Sequence, residues 1–75
     1  MKDKYSVSLI ISSADESSVS NVGSFNKDDK TEEDIRRHAN GILSSVKLEY
    51  NQHARIEVWL IRANGIQQMI YDNER

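Results

Sequence analysis

Two histidines, His38 and His53, are the side chains in this sequence best suited to metal ligation or proton transfer. A zinc site needs three or four ligands at close spacing. The pair is not a His-x3-His unit, and the chain has no cysteine to supply thiolates. Both read as surface or helix-edge residues, with His38 beside an apolar stripe. The serines are plentiful, but none stands in a Gly-x-Ser-x-Gly frame. A Ser-His-Asp triad usually needs a larger scaffold. Asp28, Asp29, Glu32, Glu33 and Asp34 cluster, but they lack the alternating aspartates and terminal glutamate of a calcium loop. They suit the positive end of a helix dipole. The three glycines are isolated, so there is no phosphate-binding loop. The expectation is a protein that is not an enzyme, with no cofactor and no metal.

Arg36, Arg37, Arg55 and Arg62 raise the alternative of a small nucleic-acid-binding module, with Trp59 and Tyr71 as sheet aromatics stacking on bases. Two features weigh against it. The glycine-aromatic signature of the common RNA-binding sheet is missing. Ten Lys plus Arg stand against twelve Asp plus Glu, a net charge of −2, where a nucleic-acid binder usually carries a basic surplus.

Seventy-five residues make a single domain, 1–75, close to the lower limit for a self-sufficient core. No disulfide can staple it, so oligomerisation is the common remaining aid. The lack of cysteine fits a reducing cytoplasm. No signal peptide is visible, and no stretch approaches the length of a membrane span.

The elements can be read from periodicity. Lys4 to Ser12 alternates, with Tyr5, Val7, Leu9 and Ile11 on one face and Ser6, Ser8, Ile10 and Ser12 on the other. Residues 14–30 are ambiguous: Ser18 to Phe25 reads as a second strand with Gly23 marking a bulge or weak edge, or else as a loop anchored by Phe25. Thr31 caps a helix, and Asp34 approximates a capping box with it. Ile35, Ala39, Ile42, Leu43, Val46 and Tyr50 fall in one stripe. That stripe favours one helix running through Gly41 to Tyr50. The competing reading is a helix at 32–39 followed by a strand at 42–50.

Arg55 to Tyr71 reads as a hairpin around Asn64-Gly65. A two-residue type I′ loop would set Ala63 opposite Ile66, Leu60 opposite Met69, Trp59 opposite Ile70 and Val58 opposite Tyr71, with positive φ at both turn residues. One face then carries Ile56, Val58, Leu60, Met69 and Tyr71, and the other Trp59, Ile61, Ala63, Ile66 and Ile70.

The resulting architecture is α+β: a small antiparallel sheet of three or four strands, in the order β-(β)-α-β-β, with one helix packed on one face. One helix covers one face only. The sequence therefore implies a leftover apolar face, with Trp59, Ile61, Ile66, Ile70 and Ile10 as interface residues. The function expected is protein–protein interaction: a homodimer joined through the face or edge of the 55–71 hairpin, acting on a larger protein target. By analogy of size alone, inhibition of a larger host or cellular enzyme is the activity that suits it.

Overall fold

A computed structural model describes residues 2–74 of the chain. Four strands and one helix follow in order: β1 (Lys4–Ser12), β2 (Ser17–Asn26), α1 (Glu32–Ser45), β3 (His53–Ile61) and β4 (Gln67–Asp72). The sheet has the order β2-β1-β3-β4, every neighbouring pair antiparallel. The α+β class and the order of elements expected from periodicity are those of the structure, and within the ambiguous stretch Ser17–Asn26 is a strand.

The two central strands supply the core by strict alternation. Tyr5, Val7 and Leu9 of β1 and Ala54, Ile56, Val58 and Leu60 of β3 are buried on one face. Helix α1 covers that face with Ile35 and Ala39, both fully buried. No polar or charged residue among those described is buried. At the centre, Val7 pairs with Val58, and both are completely inaccessible.

Both edge strands carry a β-bulge at this level. Asn21 pairs with Ser8 and Gly23 with Val7, so Val22 is the extra residue of β2. Val58 pairs with Tyr71 and Trp59 with Met69, so Ile70 is the extra residue of β4. A bulge sets two residues against one and bends its strand. Here each bulge delivers an additional aliphatic side chain to the covered face: Val22 and Ile70 both pack on the core cluster, beside Phe25 and Tyr71. Two edges bent at the same level let a four-stranded sheet wrap a single helix.

The bulge corrects the hairpin register expected from Asn64-Gly65. Arg62 N donates to Ile66 O and Gly65 N to Arg62 O, which encloses a three-residue loop, Ala63-Asn64-Gly65. Gly65 alone has positive φ, at 91°, and Asn64 does not share it. This is the three-residue connection that ends in a left-handed glycine, not a type I′ turn. Only the Val58–Tyr71 pairing of the expected set survives, because the extra loop residue and the bulge cancel there.

The helix runs through Gly41, as the stripe required, but stops at Ser45 rather than Tyr50. The Ser44 hydroxyl donates to Asn40 O and that of Ser45 to Gly41 O, and such back-bonding weakens the last turn. Val46 is extended at ψ 132°. Residues 46–52 form a connection closed by a turn in which Gln52 N donates to Glu49 O, and no strand occupies 42–50. At the other end the capping box is complete: Asp34 N donates to Thr31 Oγ1 at 3.1 Å and Thr31 N to Asp34 Oδ2 at 3.2 Å.

Candidate binding face of the sheet

The face opposite α1 has no covering layer among the described residues. Cross-strand pairing places Ser6 opposite Trp59, Ser8 opposite Glu57, Ile10 opposite Arg55 and Ser12 opposite His53. The β3 residues form one hydrogen-bonded column. Arg55 Nη2 lies 3.0 Å from Glu57 Oε2, and Trp59 Nε1 donates to Glu57 Oε1 at 3.1 Å. Both oxygens of Glu57 are thus engaged, and the carboxylate tethers the indole N–H. Arg55 Nε is buried and finds no hydrogen-bond partner among the described residues. On the β2 side, Asn21 Nδ2 donates to Ser6 Oγ at 2.8 Å, and Asn21 Oδ1 accepts from Gly23 N across the bulge.

The five expected interface residues separate. Trp59, Ile61 and Ile10 lie on the open face, each partly shielded by its neighbours on adjacent strands. Ile10 stands apart from Trp59, with Arg55 and Glu57 between, and pairs with the exposed Val19. Ile70 belongs to the covered side, because the bulge turns it onto the core. Ile66 sits opposite Arg62 at the hairpin tip, out of step with Ile61, and is 59% exposed. Met69, expected under the helix, instead faces Trp59. The contiguous apolar cluster is therefore Trp59, Ile61 and Met69, smaller than the sequence implied and confined to one end of the face.

Beside that cluster a groove of about 420 Å³ opens between Lys2, Lys4, Asn26, Ile61, Arg62 and Gly65. Its rim is cationic. Lys2 pairs with Asp28 at 3.2 Å, an exposed contact of small energetic weight, and Arg62 with the half-buried Asp3 at 3.8 Å. Asp3 also accepts from Ala63 N through Oδ1, which ties the start of β1 to the hairpin tip.

The structure does not bring the four arginines together. Arg36 lies over the Tyr71 ring at 5.2 Å, and Arg37 pairs with Glu33 and Asp34 on the helix. Arg55 is on the open face and Arg62 at the hairpin tip. Tyr71 is on the covered side, its hydroxyl donating to Asn40 Oδ1 at 3.0 Å, so Trp59 and Tyr71 are not one stacking platform. His38 packs edge-on against Phe25 at 4.9 Å between ring centroids, with Nε2 3.5 Å from Val22 O. His53 Nε2 is 2.6 Å from Glu74 Oε2. Among the described residues no group of three His, Cys, Asp or Glu side chains could hold a metal ion. Asp34 is held below the usual carboxylate range, chiefly because it accepts hydrogen bonds from the Thr31 backbone and hydroxyl; desolvation opposes the shift and Arg37 and Lys30 add to it.

Glu57, Met69 and Lys4 were missed as site residues. Alternation alone puts Arg55, Glu57 and Trp59 on one face, so the acid–indole contact was within reach of the sequence. Met69 was not, because its face depends on the bulge. Comparison with known protein families, curated proteins and solved structures finds no match to the chain.

Proposed function

We propose that the protein is a non-enzymatic binding module that docks on a larger protein through the open face of its sheet and inhibits that target by occluding it. The observation that supports this reading best is the uncovered face itself, with Trp59 held in a fixed orientation by Glu57 and Arg55 and flanked by Ile61 and Met69. A half-buried, immobilised tryptophan loses little freedom on association and is a frequent energetic centre of interfaces. Three strands of nine or ten residues and one of six span at most about 19 Å by 30 Å. With its surface relief, that footprint approaches the about 800 Å² that each partner contributes to a standard interface. The cationic groove beside Ile61 suits a partner whose apolar centre is bordered by carboxylates. The cysteine-free sequence suits a reducing compartment, and we assign the protein to the cytoplasm.

The test is affinity capture from the native cell with the parent protein, Ile61→Glu and Lys4→Glu in parallel. A target retained by the parent, lost with Ile61→Glu and weakened with Lys4→Glu, while both variants keep the parent's melting temperature, is the expected result. Retention by both folded variants would remove the open face from the account. Substrate turnover abolished by one polar substitution would remove the non-enzymatic reading altogether.

A further inference from the structure

We propose that the outer edge of β2 is a self-pairing edge: two copies of the chain join antiparallel along Ser17–Asn21 to make one continuous sheet of both molecules. This places self-association away from the 55–71 hairpin and stands independently of what the open face binds.

The free groups of the edge follow from the ladder. Ser13 N donates to Glu16 O, so the Ser13–Glu16 pair is a hydrogen-bonded one. In an antiparallel ladder such pairs alternate with non-bonded pairs. Ile11–Ser18 and Leu9–Ser20 are then the next bonded pairs in the observed register. Ser18 and Ser20 direct their backbone groups to β1. Ser17, Val19 and Asn21 direct theirs outward, and among the described residues β2 has no neighbour on that side. This run ends at the Val22 bulge. Natural edge strands are usually protected by charged side chains or proline. Between Ser17 and Asn26 there is neither. The opposite edge is less suited: β4 has six residues, its bulge falls at Ile70, and Asp72 closes it.

Val19 identifies the second copy as the occupant. It is 67% exposed and, among the described residues, the sole exposed large hydrophobic side chain within a strand. It lies midway between Ser17 and Asn21. A two-fold axis through Val19 sets it against its own copy and sets Ser17 against Asn21 twice. Three bonded pairs supply about six backbone hydrogen bonds. The neutral strand meets itself without like-charge repulsion. On the open face Ile10, Val19 and their copies form one apolar row, because Ile10 is already the cross-strand neighbour of Val19. Closed two-fold pairing is the commonest symmetric association.

The experiment is sedimentation of the parent from micromolar to millimolar concentration, with amide hydrogen exchange at both ends of the range. A concentration-dependent dimer is expected. The Ser17, Val19 and Asn21 amides should exchange freely when dilute and be protected at least tenfold when dimeric. Val19→Lys should stay folded and monomeric, while Gln68→Lys on the far edge should leave the dimer intact. A monomer throughout the range would overturn the proposal, as would a dimer that survives Val19→Lys or leaves these three amides unprotected. Protection seen in a monomeric protein only after a foreign partner is added would also overturn it, and would reassign the edge to a foreign strand. The exchange measurement on the parent decides the matter even if Val19→Lys fails to fold.

Discussion

The two faces of the central strands are made from the same eighteen positions of β1 and β3, taken alternately, yet they are held by different forces. On the covered face, Tyr5, Val7, Ile56, Val58 and Leu60 meet Ile35 and Ala39, and apolar area removed from water is the stabilising term. On the open face, Ser6, Ser8, Arg55, Glu57 and Trp59 are shielded only by lateral neighbours. Ser6, Arg55, Glu57 and Trp59 are fixed by hydrogen bonds running along β3 and across to β2. Lateral shielding without a covering layer leaves a surface that is ordered but not yet dry. The open face is thus accessible as it stands, whereas α1 closes the covered one.

The largest predicted effects contrast these faces directly. Ile56→Ala removes a fully buried side chain beneath the helix and should lower the unfolding free energy by about 2–5 kcal/mol, measured by denaturant titration. Trp59→Ala, though it deletes a larger side chain, should cost on the order of 1 kcal/mol, because the indole is only half-buried. If dilute Trp59→Ala were as unstable as Ile56→Ala, the open face would have to be covered in the free protein, and the contrast would fail.

Gly23 sharpens the comparison at the bulge, where β2 bends toward the helix. A Cβ there would lie 2.9 Å from Phe25 Cε2 and 3.0 Å from His38 Nε2. Gly23→Ala should destabilise by about 1–3 kcal/mol through overpacking. The cost should shrink when His38→Ala is added, since the histidine is one of the two groups in the way. Equal costs in both backgrounds would place the strain on Phe25 alone.

The alternation that builds both faces was legible in β1 and β3, because one side of each strand is apolar throughout while the other mixes serines and charges with Ile10, Trp59 and Ile61. The capping box and the apolar stripe of α1 were legible for the same reason. What the sequence hid were the one-residue slips. In β4, Met69, Ile70 and Tyr71 are consecutive and apolar, so no alternation decides which of them faces the helix. Asn64-Gly65 fits either a two-residue loop or a three-residue loop that ends in glycine, and the two differ by one step of register. The expected interface inherited that ambiguity: Ile70 and Ile66 left the open face and Met69 entered it, while Trp59, Ile61 and Ile10, set by β1 and β3, stayed. The end of the helix was hidden for a different reason. The apolar stripe continues to Tyr50, but Ser44, Ser45 and Val46 are weak helix formers and nothing beneath Tyr50 rewards continuation.

The hairpin tip separates the two loop types by mutation. Gly65→Val forces a β-branched residue into positive φ and should cost about 1–2 kcal/mol. Asn64→Ala loses only the hydrogen bond that its Oδ1 accepts from Ile66 N, about 0.5–1 kcal/mol. In a type I′ turn Asn64 would also need positive φ, and the two substitutions would then be similarly damaging. Comparable melting temperatures for the two variants would therefore restore the two-residue register and return Met69 to the helix side.

An effect of similar size lies at the N-terminus of α1, and it tests whether the covering layer can be weakened without disturbing the open face. Thr31→Ala removes the cap and should cost about 1 kcal/mol. Asp34, the other half of the box, has a carboxyl held below its ordinary value of 3.8 by its bonds to Thr31. A group whose pKa is depressed on folding contributes stability that is fully present above its unfolded pKa and is lost as pH falls through the folded one. Parent and Asp34→Asn should therefore differ by a constant amount from neutral pH down to about the ordinary carboxylate value, and that difference should narrow as acid protonates the folded carboxyl. In the Thr31→Ala background, which lacks the hydroxyl bond, the narrowing caused by Asp34→Asn should begin at the same pH but be smaller and be complete at a higher pH. Trp59 fluorescence at neutral pH should be the same in all three proteins, since the Glu57–Trp59 contact lies on the far side of the sheet from α1. A shift in that emission would mean that the helix and the open face are coupled through the strands, and that each layer of the fold senses the other.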